Sequence, residues 1–188
     1  MLPALTGCRV GEMLGASWDA LDLKTGKFDI RTTMADPDPG KPMLFKAPKT
    51  QNSRRTVPLP KELIHELRLW KLKCPPSERD LFIASDQGKP VLRRVVSQLV
   101  QKIIKELEIT KKLTPHSFRH TFASLLLEDK VSIPEVTKLL GHKNSAITLK
   151  TYAHFSGEET NAVHNFAESV FGISNVSKAV SITADNKS

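Results

Sequence analysis

Arg119 and His116 are close enough along the chain to act together on one anionic target. The planar guanidinium presents paired N–H donors to phosphate oxygens, and its charge is not lost on titration. Arg119 lies three residues after His116 in the segment HSFRH (116–120), so a helix would place both on one face. The start of such a helix also favours an anion, through its free N–H groups and its dipole. Alone, the pair could equally be a surface pair or an interhelical bridge.

A second concentration of charge lies between residues 41 and 55. This segment contains five cations and no anion: Lys41, Lys46, Lys49, Arg54 and Arg55. A solvated hairpin explains that composition. So does contact with the backbone of duplex DNA, where each neutralised phosphate releases counterions. Charge alone does not separate the two interpretations.

The segment LLGHKN (139–144) predicts a helix that ends at Gly141, with Asn144 as the cap of the next helix. His142 then lies in a tight bend, where it is either a polar cap or a functional group. Tyr152 follows ten residues later and is the single tyrosine of the chain. A tyrosine near a helix end normally packs half-buried with its hydroxyl in water.

Periodicity predicts the elements that must position these residues. Short apolar runs predict strands at 28–33, 43–45 and 56–59, with the last two forming a hairpin around the polar tip 48–55. The prediction is a mainly helical α+β domain with a small antiparallel three-stranded sheet at one edge. Residues 2–5 predict the last turn of a helix, and further helices are expected at 9–18, 61–73, 95–107, 116–128, 134–140, 145–152 and 158–171.

Composition restricts the class of partner. The 188 residues carry 28 Lys and Arg against 20 Asp and Glu, a formal net charge of +8. This excess favours a polyanion, first nucleic acid and second an anionic membrane surface. No apolar run approaches the ~20 residues that a membrane span needs. The two cysteines, Cys8 and Cys74, form no C-x-x-C pair, and reduced thiols in the cytoplasm are the simpler expectation. We interpret Cys8 as a buried hydrophobe rather than a nucleophile.

In order along the chain, these motifs resemble the catalytic domain of the tyrosine recombinases, the phage-type and transposon-type integrases. The resemblance covers about residues 2–155. It is carried by Arg9 in TGCRVGE (6–12), Lys49 in KTQNSRR (49–55), His116 with Arg119, and Gly141-His142 followed by Tyr152.

The resemblance implies DNA cleavage and rejoining without metal, nucleotide or other cofactor, through a 3′-phosphotyrosyl intermediate. It implies that Arg9 and Arg119 clamp the scissile phosphate, that Lys49 protonates the leaving 5′-oxygen, and that Tyr152 is the nucleophile. His116 would help to move the tyrosine proton, and His142 would donate to the phosphate. Glu12 is expected to orient Arg9, and His120 is expected to support the site. The positions expected to contact DNA are Lys46, Arg54 and Arg55. Lys46 replaces Lys49 as the acid if the hairpin register shifts.

The same resemblance implies a catalytic domain at 1–155 and a C-terminal helix and polar tail at 156–188 that docks on a neighbouring protomer. The expected partners are double-stranded DNA and a homotetramer in the synaptic complex, with no membrane. A bacterial, phage or mobile-element origin is expected, as is the absence of an N-terminal helical domain. Three alternatives remain: a type IB topoisomerase, a non-catalytic DNA-binding regulator on the same fold, and a helix-turn-helix at 134–152.

Overall fold

The structure is a computed structural model, and it describes residues 2–39, 41–47, 53–111, 113–146 and 148–149. Helices dominate the described residues, in agreement with the predicted α+β class. Within them, no helix is long and apolar enough to cross a membrane. The elements are α1 (Leu2–Thr6), α2 (Val10–Leu14), a 3-10 turn (Trp18–Ala20), β1 (Leu21–Asp22), β2 (Lys27–Ile30), β3 (Thr33–Ala35), β4 (Leu44–Lys46), β5 (Arg55–Pro58), α3 (Lys61–Lys71), α4 (Arg93–Glu106), α5 (Pro115–Glu128) and α6 (Ile133–Leu140).

The predicted three-stranded antiparallel sheet is present, but one of its strands differs. Its order is β1-β2-β5, and β4 pairs instead with β3 in a separate two-stranded sheet. The expected hairpin between 43–45 and 56–59 is therefore wrong. The apolar runs in the sequence predict that both segments are strands, but they do not predict which partner each strand takes. In the structure β5 pairs with β2, where Phe28 lies opposite Val57 and both are fully buried.

Helix α5 is the central element of the core. Eight of its residues are buried, among them Phe118, Phe122 and Leu126, and α1 packs along it. The predicted helix start is also observed. Thr114 accepts a hydrogen bond from the backbone N–H of Ser117, and Pro115 occupies the first turn, where its missing N–H leaves no orphan donor. Burial of α5 fixes the direction of the polar side chains that it carries.

Two glycines form the turns that bring the polar segments together. Gly141 ends α6 in the left-handed region, with φ 64°, as the sequence predicts. Gly7 separates α1 from α2 with φ 63°. A Cβ on Gly7 would lie 2.5 Å from the ring of Phe122 and 2.9 Å from Leu140. Gly7 therefore provides both the turn and the close approach of α1 to α5 and α6.

Replacing Gly7 with alanine should destabilise the fold more than the same change at Gly26. Both positions have a positive φ, but a Cβ on Gly26 would meet only the end of the Ile64 side chain at 3.1 Å and Leu59 O at 3.4 Å. We expect a loss of about 1–2 kcal/mol for Gly26→Ala from backbone strain alone. For Gly7→Ala, overpacking raises the loss to about 2–5 kcal/mol. Urea unfolding of the two variants measures the difference, and equal losses would contradict the packing described at Gly7.

Candidate active site

Three arginines from distant parts of the chain meet at the C-terminal end of α6. Arg55 Nε donates to Leu139 O at 2.6 Å, and an Arg119 Nη donates to Leu140 O at 2.5 Å. Arg9 Nη donates to Gly141 O at 3.4 Å. The last carbonyls of a helix lack intrahelical partners and carry the negative end of its dipole, so they are natural acceptors for cations. Three consecutive carbonyls thus align three guanidinium groups.

One buried carboxylate joins two of these arginines. Glu12 accepts from both terminal nitrogens of Arg55, at 3.1 and 2.9 Å, and from Arg9 Nη1 at 2.8 Å. It also accepts the backbone N–H of Arg9 at 2.7 Å, as a residue at this place in a helix's first turn can. Burial alone would raise the pKa of Glu12, but the hydrogen bonds and charge of Arg55 and Arg9 outweigh it and lower that pKa. Glu12 is therefore ionised and holds both side chains.

The cluster carries more positive than negative charge. Three guanidinium groups face one carboxylate within the described residues, which leaves an excess of two positive charges. Burial, followed by the charges of Arg9 and Arg55, lowers the pKa of Arg119 to about 9, so it is still a cation at neutral pH. Arg119 also donates to Gly7 O. Its guanidinium has five N–H groups, and the contacts with Gly7 and Leu140 account for two of them.

His142 lies directly after the three carbonyls, and the structure describes it as half-buried. Its Nδ1 lies 3.0 Å from the hydroxyl of Thr148. Burial, then the charges of Arg119, Arg9 and Arg55, lowers the pKa of His142 to about 4. The imidazole is therefore neutral at neutral pH in the free protein. A neutral ring can hold or pass a proton beside the arginines without adding charge to them.

Two further histidines line the same side of α5. The rings of His116 and His120 meet edge to face, with centroids 4.2 Å apart. Burial lowers the pKa of His120 to about 4, and it also lowers the pKa of His116, assisted by the charges of Arg119 and Arg9. In the predicted pair, His116 is exposed to solvent whereas Arg119 is buried. Both residues nevertheless face the same charge cluster.

A cleft of about 750 Å³ opens beside His142, between β5 and α6. Arg54, Lys138 and Lys143 contribute cations to its lining. Lys46 and Arg54 are exposed, as contact with an external polyanion requires. Lys49 and Tyr152 lie outside the described residues, as do the expected helix at 158–171 and the tail. A second cleft, of about 570 Å³ between Pro76 and Pro90, contains none of the predicted site residues.

Comparison with known proteins identifies the family. The model of the phage integrase family matches residues 1–159, which is most of the chain. The chain belongs to the phage integrase family of tyrosine recombinases. The family that the ordered motifs indicated is thereby confirmed.

Similar members come from a phage and from bacteria. The integrase of Staphylococcus phage L54a is 29% identical over 160 residues, which cover 80% of this chain and 45% of the phage protein. The tyrosine recombinase XerC of Thermodesulfovibrio yellowstonii is 32% identical over 149 residues, which cover 79% of this chain and 46% of XerC. The chain thus spans about half the length of the curated relatives that it matches.

Solved structures of the family share the fold. The Tn1549 transposon integrase in complex with circular intermediate DNA superimposes with a TM-score of 0.73 at 21% identity, over 86% of this chain and 56% of that one. The XerA recombinase superimposes with a TM-score of 0.68 at 22% identity, over 87% of this chain and 54% of XerA. At these identities the similarity establishes the tyrosine-recombinase fold.

The structure of this integrase-family chain contradicts one predicted contact. Arg55 was expected to face DNA, but its side chain is 4% exposed and its donors are directed at Glu12, Leu139 O and Ser53 O. Alternation along β5 explains the difference, because Arg55 shares the inward face with Val57 whereas Thr56 is exposed. The expectation that Cys8 is a buried hydrophobe agrees with the structure, where burial raises the pKa of its thiol to about 11.

Replacing Arg55 with glutamine should destabilise this integrase-family fold, whereas Arg54→Gln should not. Among the described residues, loss of Arg55 leaves the buried Glu12 carboxylate with Arg9 as its one charged partner, and breaking a buried ion pair from one side removes about 3–5 kcal/mol. Arg54 is exposed, where such changes are within about 0.5 kcal/mol. Urea unfolding compares the two adjacent variants. Equal stabilities would show that Arg55 does not support Glu12.

Stability should fall as the solution is made acidic, partly because of His142. The unfolded imidazole takes up a proton near its ordinary pKa of about 6.5. The folded imidazole resists protonation until about pH 4. Between these values the unfolded chain binds more protons, so acid favours unfolding there. Urea midpoints measured across this range should fall less steeply in His142→Gln than in the unsubstituted chain. Parallel profiles would contradict the low pKa.

Proposed function

We propose that this chain cleaves and rejoins DNA strands as the catalytic part of a site-specific recombinase of a mobile element. The charge cluster at the end of α6 is the observation that carries the proposal. It holds Arg9 and Arg119 beside the neutral His142. With Arg55 included, the cluster has two positive charges that Glu12 does not balance. A phosphodiester contributes one negative charge in the ground state and a second in the pentacoordinate transition state. Donors that are already oriented stabilise such developing charge most effectively.

The proposed reaction needs only groups of the protein and the DNA. The Tyr152 oxygen attacks the scissile phosphorus, so a bond from phosphorus to the phenolic oxygen forms while the bond from phosphorus to the 5′-oxygen breaks. The phenolic proton passes to His116 or to water. Lys49 supplies a proton to the leaving 5′-oxygen. Rejoining reverses these steps, and because one phosphoester replaces another, no external energy source is consumed.

Arg9 and Arg119 have different surroundings, which suits them to different parts of the phosphate. The Arg9 side chain is 42% exposed and lies at the start of α2, so it can approach a ligand from solvent. Arg119 is 3% exposed and is oriented by the carbonyls of Gly7 and Leu140. We infer that Arg119 provides the rigid side of the clamp and that Arg9 closes it. Glu12 limits the movement of Arg9 because it receives both its backbone N–H and its guanidinium.

Double-stranded DNA is the proposed partner, and the exposed cations of the cleft beside His142 support it. The Tn1549 integrase, which shares the fold, has been solved with circular intermediate DNA. Binding through phosphate contacts should weaken steeply as salt is added. Assembly of a homotetramer, with residues 156–188 docked on a neighbouring protomer, stays a prediction. Comparison of oligomeric state on DNA with and without those residues tests it, and unchanged association would contradict it.

Nicked duplexes of random sequence provide a direct test of the reaction. A nick close to the cleavage site lets the short 5′-hydroxyl fragment diffuse away, so the covalent intermediate accumulates. We expect an adduct that survives denaturing electrophoresis with the unsubstituted chain and none with Tyr152→Phe. Mapping the linked peptide should identify Tyr152, and sequencing the trapped DNA should reveal the preferred site. The adduct should form equally in the presence of a metal chelator.

The arginine clamp is tested in the same assay. Arg119→Lys keeps a positive charge but loses the paired planar donors, and we expect the rate of adduct formation to fall by about 10²-fold or more. Lys138→Gln, which removes a cation from the cleft wall, is the matched control and should alter binding more than the rate. Salt-sensitive binding without any adduct would favour the non-catalytic regulator. Cleavage and rejoining of single duplexes, with no strand exchange that depends on a specific paired site, would favour the topoisomerase.

A further inference from the structure

A chain of hydroxyl groups leads away from His142 into the protein. Nδ1 of His142 lies 3.0 Å from Oγ1 of Thr148, which lies 2.9 Å from Oγ1 of Thr137. Thr137 donates in turn to the backbone carbonyl of Ile133, one helical turn earlier in α6, at 2.7 Å. Thr148 is fully buried, so solvent does not reach its hydroxyl. None of the proposed catalytic steps uses either threonine.

Counting hydrogens gives this chain a direction. A hydroxyl has one hydrogen, and that of Thr137 is directed at the carbonyl of Ile133. The contact between the two threonines must then use the hydrogen of Thr148. The Thr148 oxygen is left only as an acceptor toward His142, so the proton of that contact belongs to Nδ1. A carbonyl acceptor at the far end thus sets the tautomer of the imidazole.

This tautomer determines how His142 can meet a phosphate. In a neutral imidazole with the proton on Nδ1, Nε2 has a lone pair and no hydrogen. Such a nitrogen repels a phosphate oxygen. In the imidazolium form Nδ1–H still donates to Thr148, and Nε2–H becomes a donor to the phosphate. The hydroxyl chain is therefore compatible with a phosphate contact only when a second proton is present.

The surroundings of His142 explain why the second proton would arrive with the ligand. Arg119 and His120 face it from α5, Arg9 from the start of α2 and Arg55 from β5, and the positive charges among them disfavour an imidazolium in the free protein. The same cleft contains the cations Arg54, Lys138 and Lys143 and the carboxylate Glu135. A phosphate anion between the arginines would offset part of this positive charge and favour protonation.

We propose that Thr148 and Thr137 are positioning residues that keep the His142 proton on Nδ1, so that the chain takes up a proton at His142 when a DNA phosphate binds. The proton uptake rests on the proposed function, whereas the tautomer is a property of the free protein. Proton uptake makes phosphate binding tighter as the pH falls toward the acidic side of neutrality. His142 then contributes a charged donor when the phosphate is bound. A permanently charged donor would add to the repulsion between the arginines in the free protein.

Nitrogen-15 NMR of the free chain near neutral pH tests the tautomer without DNA. We expect Nδ1 of His142 to have the shift and proton couplings of a protonated ring nitrogen, and Nε2 those of an unprotonated one. Thr148→Ser keeps the hydroxyl and should preserve this pattern. Thr148→Val keeps the shape but removes the acceptor, and the proton should move to Nε2. Thr137→Val releases Thr148 to donate and should shift the population in the same direction. A protonated Nε2 in the unsubstituted chain would overturn the proposal.

Calorimetry with a short DNA duplex tests the linkage. Binding enthalpies measured in buffers of different ionisation enthalpy give the number of protons taken up. We expect uptake approaching one proton for the unsubstituted chain and Thr148→Ser, and its loss in Thr148→Val. Equal uptake in Thr148→Ser and Thr148→Val would overturn the linkage. If DNA does not bind, the proposed function fails, and the NMR result still decides the role of the threonines.

Discussion

The site depends on the carbonyl end of α6. The carbonyls of Leu139, Leu140 and Gly141 have no hydrogen-bond partner within the helix, and each accepts from a different arginine. These arginines come from the start of α2, from β5 and from α5, so a single helix terminus orients groups from three separated segments. Gly141 then turns the chain in the left-handed region and delivers His142 to the same place. Backbone acceptors are a rigid means of aiming long side chains, because they move only with the helix.

Burial and charge together account for the chemistry that this arrangement can support. The cluster tolerates three cations because Glu12 and the negative helix end offset part of their repulsion. The remainder is unbalanced, and the neighbouring His120 and His142 stay neutral rather than add to it. An anion with several oxygens satisfies this excess better than a side chain would. An excess of positive charge is therefore built into the folded state.

Much of this could be predicted from the sequence, because the candidate site residues occur in ordered motifs and the helices have clear periodicity and caps. Other features depend on tertiary contacts. Arg54 and Arg55 are adjacent and chemically identical, yet one is exposed and the other is buried; the spacing of Arg55 from Val57 was the available signal. No sequence pattern links Thr137 to Thr148, since only the return of the chain after Gly141 brings them together. Strand pairing was likewise decided by packing, and the positions of Lys49 and Tyr152 rest on sequence alone.

A crystal structure of the chain grown with vanadate, which imitates the pentacoordinate phosphate, would test the central claim most directly. The account predicts one oxyanion whose oxygens accept hydrogen bonds from both Arg9 and Arg119, with Nε2 of His142 in contact and the carbonyl contacts of α6 retained. An oxyanion that touches only one of the two guanidinium groups, or that binds elsewhere while the cluster stays empty, would contradict it.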